Sequence, residues 1–391
     1  VTEGATGARA ARAPDPVALS QALIRIPSVT PDTGAAQDLL AEALEAAGFT
    51  VWRHLWGEAP DGPVANLFAR RGTAGPHFAF AGHTDVVPPG APEDWPGPPF
   101  AAEVRDGLLI GRGASDMKSA IAAFVAAAAR TDTGAGSVSL IVTGDEEGPA
   151  TFGTKRLLQW MREEGHVPDH CLVGEPTSQA ALGDMVKIGR RGSVNAWITV
   201  AGAQGHVAYP HMAANPIPAL VEILQRLQSR VLDEGNEWFQ PSNLEITDLE
   251  VGNPAHNVIP AAAKARLNIR FNNQHRGADL VHWMEDTATS VTEKAAVEAI
   301  VSGEAFFTDP GPFAELVAGA IESVTGGRPD LSTSGGTSDA RFIRAMCPVI
   351  EAGLVGKTMH KVGEAVAVRD IERLTDIYAA ILTGYFAPQR G

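Results

Sequence analysis

Apolar residues recur at helical spacing in PVALSQALIRI (16–26) and AAQDLLAEALEAAGF (35–49), the second containing Gly48 as a helix stop signal. Short apolar runs follow at 64–71, 77–82, 137–144 and 170–175, bounded by Gly, Asp or Pro, with helical stretches at 117–130 and 154–164 between them. Unbroken apolar runs of this length alternating with helices predict an α/β unit whose mainly parallel sheet is buried on both faces. From about 192 the period changes. The pattern predicts strand 193–200, helix 213–232, strand 243–251, strand 262–271, helix 277–292 and strand 296–302, a β-α-β-β-α-β order of the ferredoxin-like split arrangement. A helix in PFAELVAGAIESVTGG, a strand in CPVIEAG and a closing helix in RDIERLTDIYAAILTGYF then resume the first unit. The expected organisation is a domain of residues 14–191 plus 304–391, interrupted by an inserted domain at 192–303. Residues 1–13, VTEGATGARAARA, lack an apolar core and are expected to be a disordered leader.

Composition narrows the function classes. The chain has 391 residues, 45% of them hydrophobic, enough for two cores. With 31 Lys and Arg against 46 Asp and Glu, the net charge of −15 opposes nucleic-acid or anionic-membrane partners. The longest apolar stretch, AIAAFVAAAA at 120–129, is far short of a bilayer span and is flanked by Lys118 and Arg130. Cys171 and Cys347 are too few for a disulfide framework, so a reducing cytoplasm is the expected location.

The chemistry gathers at strand ends. In AGHTDVV, His83 and Asp85 stand two apart at the end of an apolar run and share a face, which suits a metal-binding His held by a carboxylate or a plain His-Asp pair. In GRGASDMKSAIAAF, Asp116 lies at the mouth of a helix, where it could cap or ligate. SLIVTGDEEG ends a strand in Asp145, Glu146 and Glu147, like charges that repel unless cations or protons intervene. CLVGEPTS adds Glu175 and KTMHKVGE adds His360. Repeated delivery of His or carboxylate at the carboxyl ends of sheet segments points to metal as the common partner. Two His and three carboxylates divide evenly between two Zn²⁺ ions if one carboxylate bridges. Glu146, beside the ligand Glu147, is then free to move protons.

GHTD, GRGASDMK, DEEG, GEPTS and HKVGE, in this order and at these distances, resemble the co-catalytic dizinc amidohydrolases, a family that includes aminoacylases, acetylornithine deacetylase and glutamate-type carboxypeptidases. KIGRRGS (187–193), GAQGHVAYPHMAANP (202–216), NVIP (257–260), NIRFN (268–272) and TSGGTSDARFI (333–343) are most similar to its desuccinylase branch in bacterial lysine synthesis. The resemblance covers nearly the whole chain from Pro14. It implies one zinc on His83 and Glu175, a second on Glu147 and His360, and Asp116 bridging, with Co²⁺ as an alternative ion. Asp85 would orient His83, Glu146 would be the general acid and base, and the Asp116–Met117 peptide would be cis.

The same resemblance makes the insertion a dimerisation and lid domain of a homodimer, with His206 reaching the partner's site to hold an oxyanion. Read alone, His206 is an ordinary loop residue. The long strand AAAKARLNIRFN is expected to offer an exposed edge to its two-fold mate. Substrate contacts are implied for Arg190, Ser193, Tyr209, Asn257, Arg270, Gly336 and Thr337, the arginines being suited to a substrate rich in carboxylates. The bland alternative for Arg190 and Arg191 is a surface-charge pair at a domain hinge. Ser334 stands where the branch carries a further glycine. The implied reaction is hydrolysis of the amide bond of N-succinyl-LL-2,6-diaminopimelate to succinate and LL-2,6-diaminopimelate. Alternatives are a related deacylase, such as one acting on acetylornithine, and a non-catalytic binder of an amino-acid ligand.

Overall fold

The apolar runs at 77–82, 137–144 and 170–175 become neighbouring parallel strands, and the residues that follow each run emerge together at one end of them. The computed structural model describes residues 13–32 and 34–388, so the leader expected at 1–13 lies, save for Ala13, outside the described residues. Among these, an eight-stranded sheet runs in the order Thr50–Trp56, Val64–Arg71, Ser137–Thr143, His77–His83, His170–Val173, Val349–Glu351, Met185–Lys187 and Asp330–Ser332. The four strands from Ser137–Thr143 to Val349–Glu351 in that order are mutually parallel. Ser137–Thr143 is buried at every position, which is why it reads as an unbroken apolar run.

Away from this centre the sheet is mixed. Val64–Arg71, expected in a mainly parallel sheet, runs antiparallel to both of its neighbours, and Val349–Glu351 meets Met185–Lys187 antiparallel. The link from Trp56 to Val64 explains the first case, since parallel strands need a crossover of about a dozen residues or more. The edge strand Thr50–Trp56 escaped the sequence reading because Arg53 and His54 interrupt its apolar pattern and one side of it faces solvent.

Helix Lys118–Arg130 is buried from Lys118 through Ala128. Its alanines admit helices Pro16–Ile24 and Val368–Phe386 at close range. Phe124 then stacks on Phe80 with ring centroids 4.2 Å apart, and Tyr378 meets Phe124 edge-on at 5.7 Å while donating to the Ala352 carbonyl at 2.8 Å. Truncating Phe124 to Ala removes the centre of this packing and costs about 3–5 kcal/mol. Gly326, at φ 79, ends helix Pro312–Thr325 as the pattern predicts.

A second compact unit comprises Gly189–Phe307 and Thr333–Thr337, the first containing the remaining described residues. The segment 333–337, placed with the first unit by the sequence pattern, groups with the second. Two side-chain bonds account for this: Thr333 Oγ1 donates to the Trp238 carbonyl, and Arg190 Nη1 to the Gly336 carbonyl at 2.8 Å. The unit's antiparallel sheet runs Asn243–Glu250, Ala262–Phe271, Gly192–Ala201, Ala295–Gly303. In chain order this is second, third, first, fourth, the order of the split β-α-β arrangement. Helices Ile217–Ser229 and Gly277–Val291 cover one face, where Leu220, Ile223, Leu280 and Met284 join Ile198, Leu267 and Phe271 in one core. The other face is more polar, with Asn268 Nδ2 donating to Asn195 Oδ1 at 2.8 Å and Asn195 Nδ2 to Ser302 Oγ at 2.9 Å, though Trp197 and Ile300 are also exposed on it.

Two expectations for this unit are corrected. The helix expected from 213 begins at Ile217, because Asn215 Oδ1 accepts the Ile217 amide at 3.1 Å and Pro216 precedes the first turn. The strand Ala262–Phe271, expected to be an exposed edge, is internal, and the edges are Asn243–Glu250 and Ala295–Gly303. Its regular alternation of apolar and polar residues reports one covered face and says nothing of its place in the sheet order. Among the described residues no helix is long and apolar enough to cross a membrane.

Candidate metal centre

Four of the converging segments leave parallel strands at the same end of the sheet. His83 is the last residue of His77–His83, Asp145–Glu147 follows Ser137–Thr143, Glu175 follows His170–Val173, and His360 lies in the loop beyond Val349–Glu351. Asp116 enters from the turn before helix Lys118–Arg130. The carboxyl ends of adjacent parallel strands form the crevice where such folds place their chemistry.

The side chains converge. His83 Nε2 lies 3.0 Å from Asp116 Oδ1 and 3.8 Å from Glu175 Oε1. His360 Nε2 lies 3.2 Å from Asp116 Oδ2 and 2.9 Å from Glu147 Oε1. Asp116 thus presents one oxygen to each histidine, with a terminal glutamate on either side. Ligand atoms of His83, Asp116 and Glu147 all fall within 4.8 Å of one another, as do those of His83, Glu146 and Glu175. The structure therefore brings His83, Asp116, Glu147, Glu175 and His360 together, with Glu146 beside them. Asp145, the first of the three consecutive acids, is buried.

Local sequence makes this approach feasible. The Asp116–Met117 peptide is cis, and the buried Met117 side chain fills the space beside the two glycines that precede His83 and Glu175. A Cβ on Gly82 would lie 2.6 Å from Met117 Cε, and one on Gly174 would lie 2.7 Å from the same atom. Gly82 and Gly174 stand directly before His83 and Glu175.

Asp85 touches more than His83. His83 Nδ1 lies 2.9 Å from the Asp85 carbonyl oxygen and 3.6 Å from its carboxylate. The carboxylate accepts the backbone amides of Glu146 at 3.2 Å and Glu147 at 3.0 Å, fixing the turn that carries both. Burial pushes Asp85 up to about 6, against the pull of His83 and these two amides.

The electrostatics of the cluster follow from this crowding. Burial disfavours a charged His83, yet its bond to Asp116 and the nearby Asp85 and Glu175 raise it well above its ordinary value. His360 rises to about 10 through its bonds to Asp116 and Glu147. Burial opposes the Asp116 carboxylate, but the two histidines hold it well below the usual range. Burial and the Glu175 carboxylate push Glu146 well above it. So dense a set of carboxylates draws positive charge onto both imidazoles. Two imidazole nitrogens with shared and terminal carboxylate oxygens form a donor set that divalent cations of the Zn²⁺ type fit.

The residues expected to touch substrate belong to the second unit. Arg190, in Gly189–Arg190, pairs with Phe306–Phe307 and bonds Gly336. Thr337 follows in the same loop. Ser193 Oγ accepts from Asn268 Nδ2 at 3.3 Å, and Arg270 is directly across the ladder from Ser193. Burial, and then Arg191, lower the half-buried Arg270 guanidinium from its ordinary value. His206 pairs with Val258, the Asn257 carbonyl accepts the Val207 amide at 3.1 Å, and the His206 and Tyr209 rings lie 5.9 Å apart.

Residues 79–384 match the model of peptidase family M20/M25/M40. The chain belongs to that family. Among curated relatives of this M20-family chain, the succinyl-diaminopimelate desuccinylase of Rhizorhabdus wittichii is 62% identical over 94% of this chain and 97% of its own. Others bearing that name extend to 55% identity. An M20 family metallo-carboxypeptidase from Sulfolobus solfataricus shares the fold at TM-score 0.77 and 14% identity, over 96% of this chain and all of that one. The YXEP protein of Bacillus subtilis, described as a dinuclear metal binding peptidase from the M20 family, aligns at TM-score 0.68 and 16% identity over 94% of this chain and 96% of its own.

Two residues of this M20-family site escaped the sequence reading. Arg112 and Glu364 form a buried ion pair at 2.6 Å behind Asp116 and His360. Both stand inside motifs quoted for other residues, GRGASDMK and HKVGE, but an Arg and a Glu far apart in sequence carry no signal that they pair.

Proposed function

We propose that this chain hydrolyses the amide bond of N-succinyl-LL-2,6-diaminopimelate, releasing succinate and LL-2,6-diaminopimelate, in bacterial lysine and diaminopimelate synthesis. The observation that carries the reading is the shared Asp116, one oxygen toward His83 and the other toward His360, with Glu146 alongside. The name borne by curated relatives at 55–62% identity supports the substrate. His83 and Glu175 would hold one Zn²⁺, and Glu147 and His360 the other, with Asp116 common to both and Co²⁺ an alternative ion. Such a pair supplies Lewis acidity toward the scissile carbonyl and lowers the pKa of water.

The protein's own groups do the rest. Glu146 takes a proton from the attacking water and returns it to the departing amine, so that the amine leaves neutral. Asp85 holds Glu146 and Glu147 in step through their amides.

The inserted unit acts as a dimerisation and lid domain, and His206 of the partner subunit stabilises the oxyanion. Three features support this. His206 Nδ1 accepts the Ala208 amide at 3.1 Å, which leaves Nε2 to carry the donor hydrogen an oxyanion requires. Val207, Tyr209 and Met212, all exposed in the same loop, form an apolar surface suited to cover by a second copy. The sheet edges Asn243–Glu250 and Ala295–Gly303 offer unpaired backbone to a two-fold mate. Arg190, Arg270 and Asn257 bind carboxylates of the substrate, with Ser193, Tyr209, Gly336 and Thr337 lining the same pocket. The free thiols Cys171 and Cys347 accord with a cytoplasmic setting.

The test strips metal with a chelator, restores Zn²⁺, and measures amine release from N-succinyl-LL-2,6-diaminopimelate and from N-acetylornithine. Zinc-restored turnover confined to the succinyl substrate is expected. Turnover of only the acetyl compound would overturn the pocket assignment, and turnover of neither would favour a non-catalytic binder.

A further inference from the structure

Glu364 is wholly buried in the loop that carries His360, and its carboxylate bonds the turn that carries Asp116. Its Oε1 accepts the backbone amides of Ser115 at 2.8 Å and Asp116 at 3.1 Å. Its Oε2 accepts from Arg112 Nη1 at 2.6 Å, and its own carbonyl accepts the Gly111 amide at 2.9 Å. Arg112, also buried, donates in turn to the carbonyls of Lys361 at 3.3 Å and His360 at 3.5 Å, and its guanidinium lies 5.3 Å from the centre of the Trp95 ring. Ser115 Oγ adds a bond to the Val355 carbonyl at 3.0 Å. Every one of these bonds joins the turn bearing Asp116 to the loop bearing His360, or braces one of them from behind.

A buried ion pair is weak evidence for stability, because desolvation offsets most of its attraction. Here the pair supplies something an apolar filling could not. It gives acceptors to two amides beside the shared carboxylate and donors to two carbonyls beside the exposed histidine. His360 has φ 61, a backbone region few residues other than glycine adopt, so its loop needs external bonds to present Nε2 toward Asp116.

We propose that Arg112 and Glu364 are positioning residues that set the separation of Asp116 and His360, and so govern the affinity of the cation held by His360 and Glu147 while leaving the cation of His83 and Glu175 little changed. The inference rests on the two-cation reading given above. Glu364→Gln keeps the shape but cannot accept from both amides and from Arg112 at once. Arg112→Lys keeps the charge beside Glu364 and lacks the planar fork that also reaches the His360 and Lys361 carbonyls.

The experiment titrates Zn²⁺ calorimetrically into metal-free wild type, Glu364→Gln, Arg112→Lys and His360→Ala, and records the unfolding temperature of each metal-free protein. His360→Ala identifies the equivalent that depends on that loop. The expected result is that Glu364→Gln weakens the same equivalent by about 10–100-fold, the usual size of such supporting effects, and the other by less than about threefold. Arg112→Lys should do likewise, and it decides the matter if Glu364→Gln fails to fold. Unchanged affinities in a folded variant would overturn the inference, as would equal weakening of both equivalents alongside a lowered metal-free unfolding temperature. Uptake of fewer than two equivalents by the wild type would overturn the two-cation reading itself, and this inference with it.

Discussion

The carboxylate of Asp116 stands between two imidazoles, and its Oδ2 is 3.2 Å from His360 Nε2 while its Oδ1 is 3.0 Å from His83 Nε2. A shared ligand and a terminal ligand should therefore behave differently when removed. Asp116→Ala is expected to lower bound metal toward zero per subunit, whereas Glu147→Ala should leave about one ion in place. Metal analysis after gel filtration decides it, and an Asp116→Ala protein retaining two ions would rule out the shared position.

Removing the proton carrier should separate chemistry from binding. Glu146→Ala is expected to lower kcat by about 10²–10⁴-fold with metal content unchanged, in keeping with general acid and base effects. Near wild-type turnover would assign the proton transfer elsewhere.

The proposed trans placement of His206 has a test in mixed populations. His206→Ala and Glu146→Ala proteins are each expected to be impaired alone. Co-refolded in equal amounts, half of the dimers pair one of each, and each such dimer holds one complete site, so about a quarter of wild-type activity should return. No recovery beyond the sum of the separate variants would place His206 in its own subunit's site or outside the reaction.

His77 governs a pH effect on stability far from the strand ends that carry the ligands. Its buried ring meets Ser139 Oγ at 2.8 Å, and burial, aided by Arg70, lowers it to about 4. Protonation is thus disfavoured in the folded state relative to the unfolded chain, whose histidine titrates near 6.5. The stability from a neutral His77 is complete above pH 6.5 and falls as pH drops toward 4, by on the order of 2–3 kcal/mol. Denaturant unfolding of wild type and His77→Gln across this range should show a shallower slope for the variant, and parallel curves would exclude His77 as the source.

Space beside Met117 gives a prediction with a built-in rescue. Gly82→Ala brings a methyl group to 2.6 Å from Met117 Cε, and should cost about 1–3 kcal/mol of stability by overpacking. Met117→Ala in the same chain should recover part of that loss, measured as a double-mutant cycle. Additive losses would show that Ile121, the next nearest neighbour, sets the limit instead.

The central strands and the long helices were legible because burial on both faces, or on one helical stripe, writes itself directly as apolar period. The cluster of His83, Asp116, Glu147, Glu175 and His360 was legible because each member follows a readable strand or precedes a readable helix. What stayed hidden depends on partners distant in sequence. Nothing in VANLFARR says that both neighbours run opposite to it, and nothing in AAAKARLNIRFN says that it is internal. Three-residue strands such as Met185–Lys187 are too short for an alternating pattern to stand out. Asp85 reads naturally as a partner for His83 two residues away, while its bonds to the amides of Glu146 and Glu147 become visible only when the strands lie side by side.

On the proposed assignment, those two amide bonds tie a metal ligand and a proton carrier to one anchor. Glu146 and Glu147 are consecutive, share a turn, and hang from the two oxygens of a single buried carboxylate. Any substitution that shifts the turn to suit an ion of different radius also shifts the base. Selection for a new metal would therefore be felt as a change in rate even when the new ion binds well, and the two traits would have to be improved together, through Asp85, rather than one at a time.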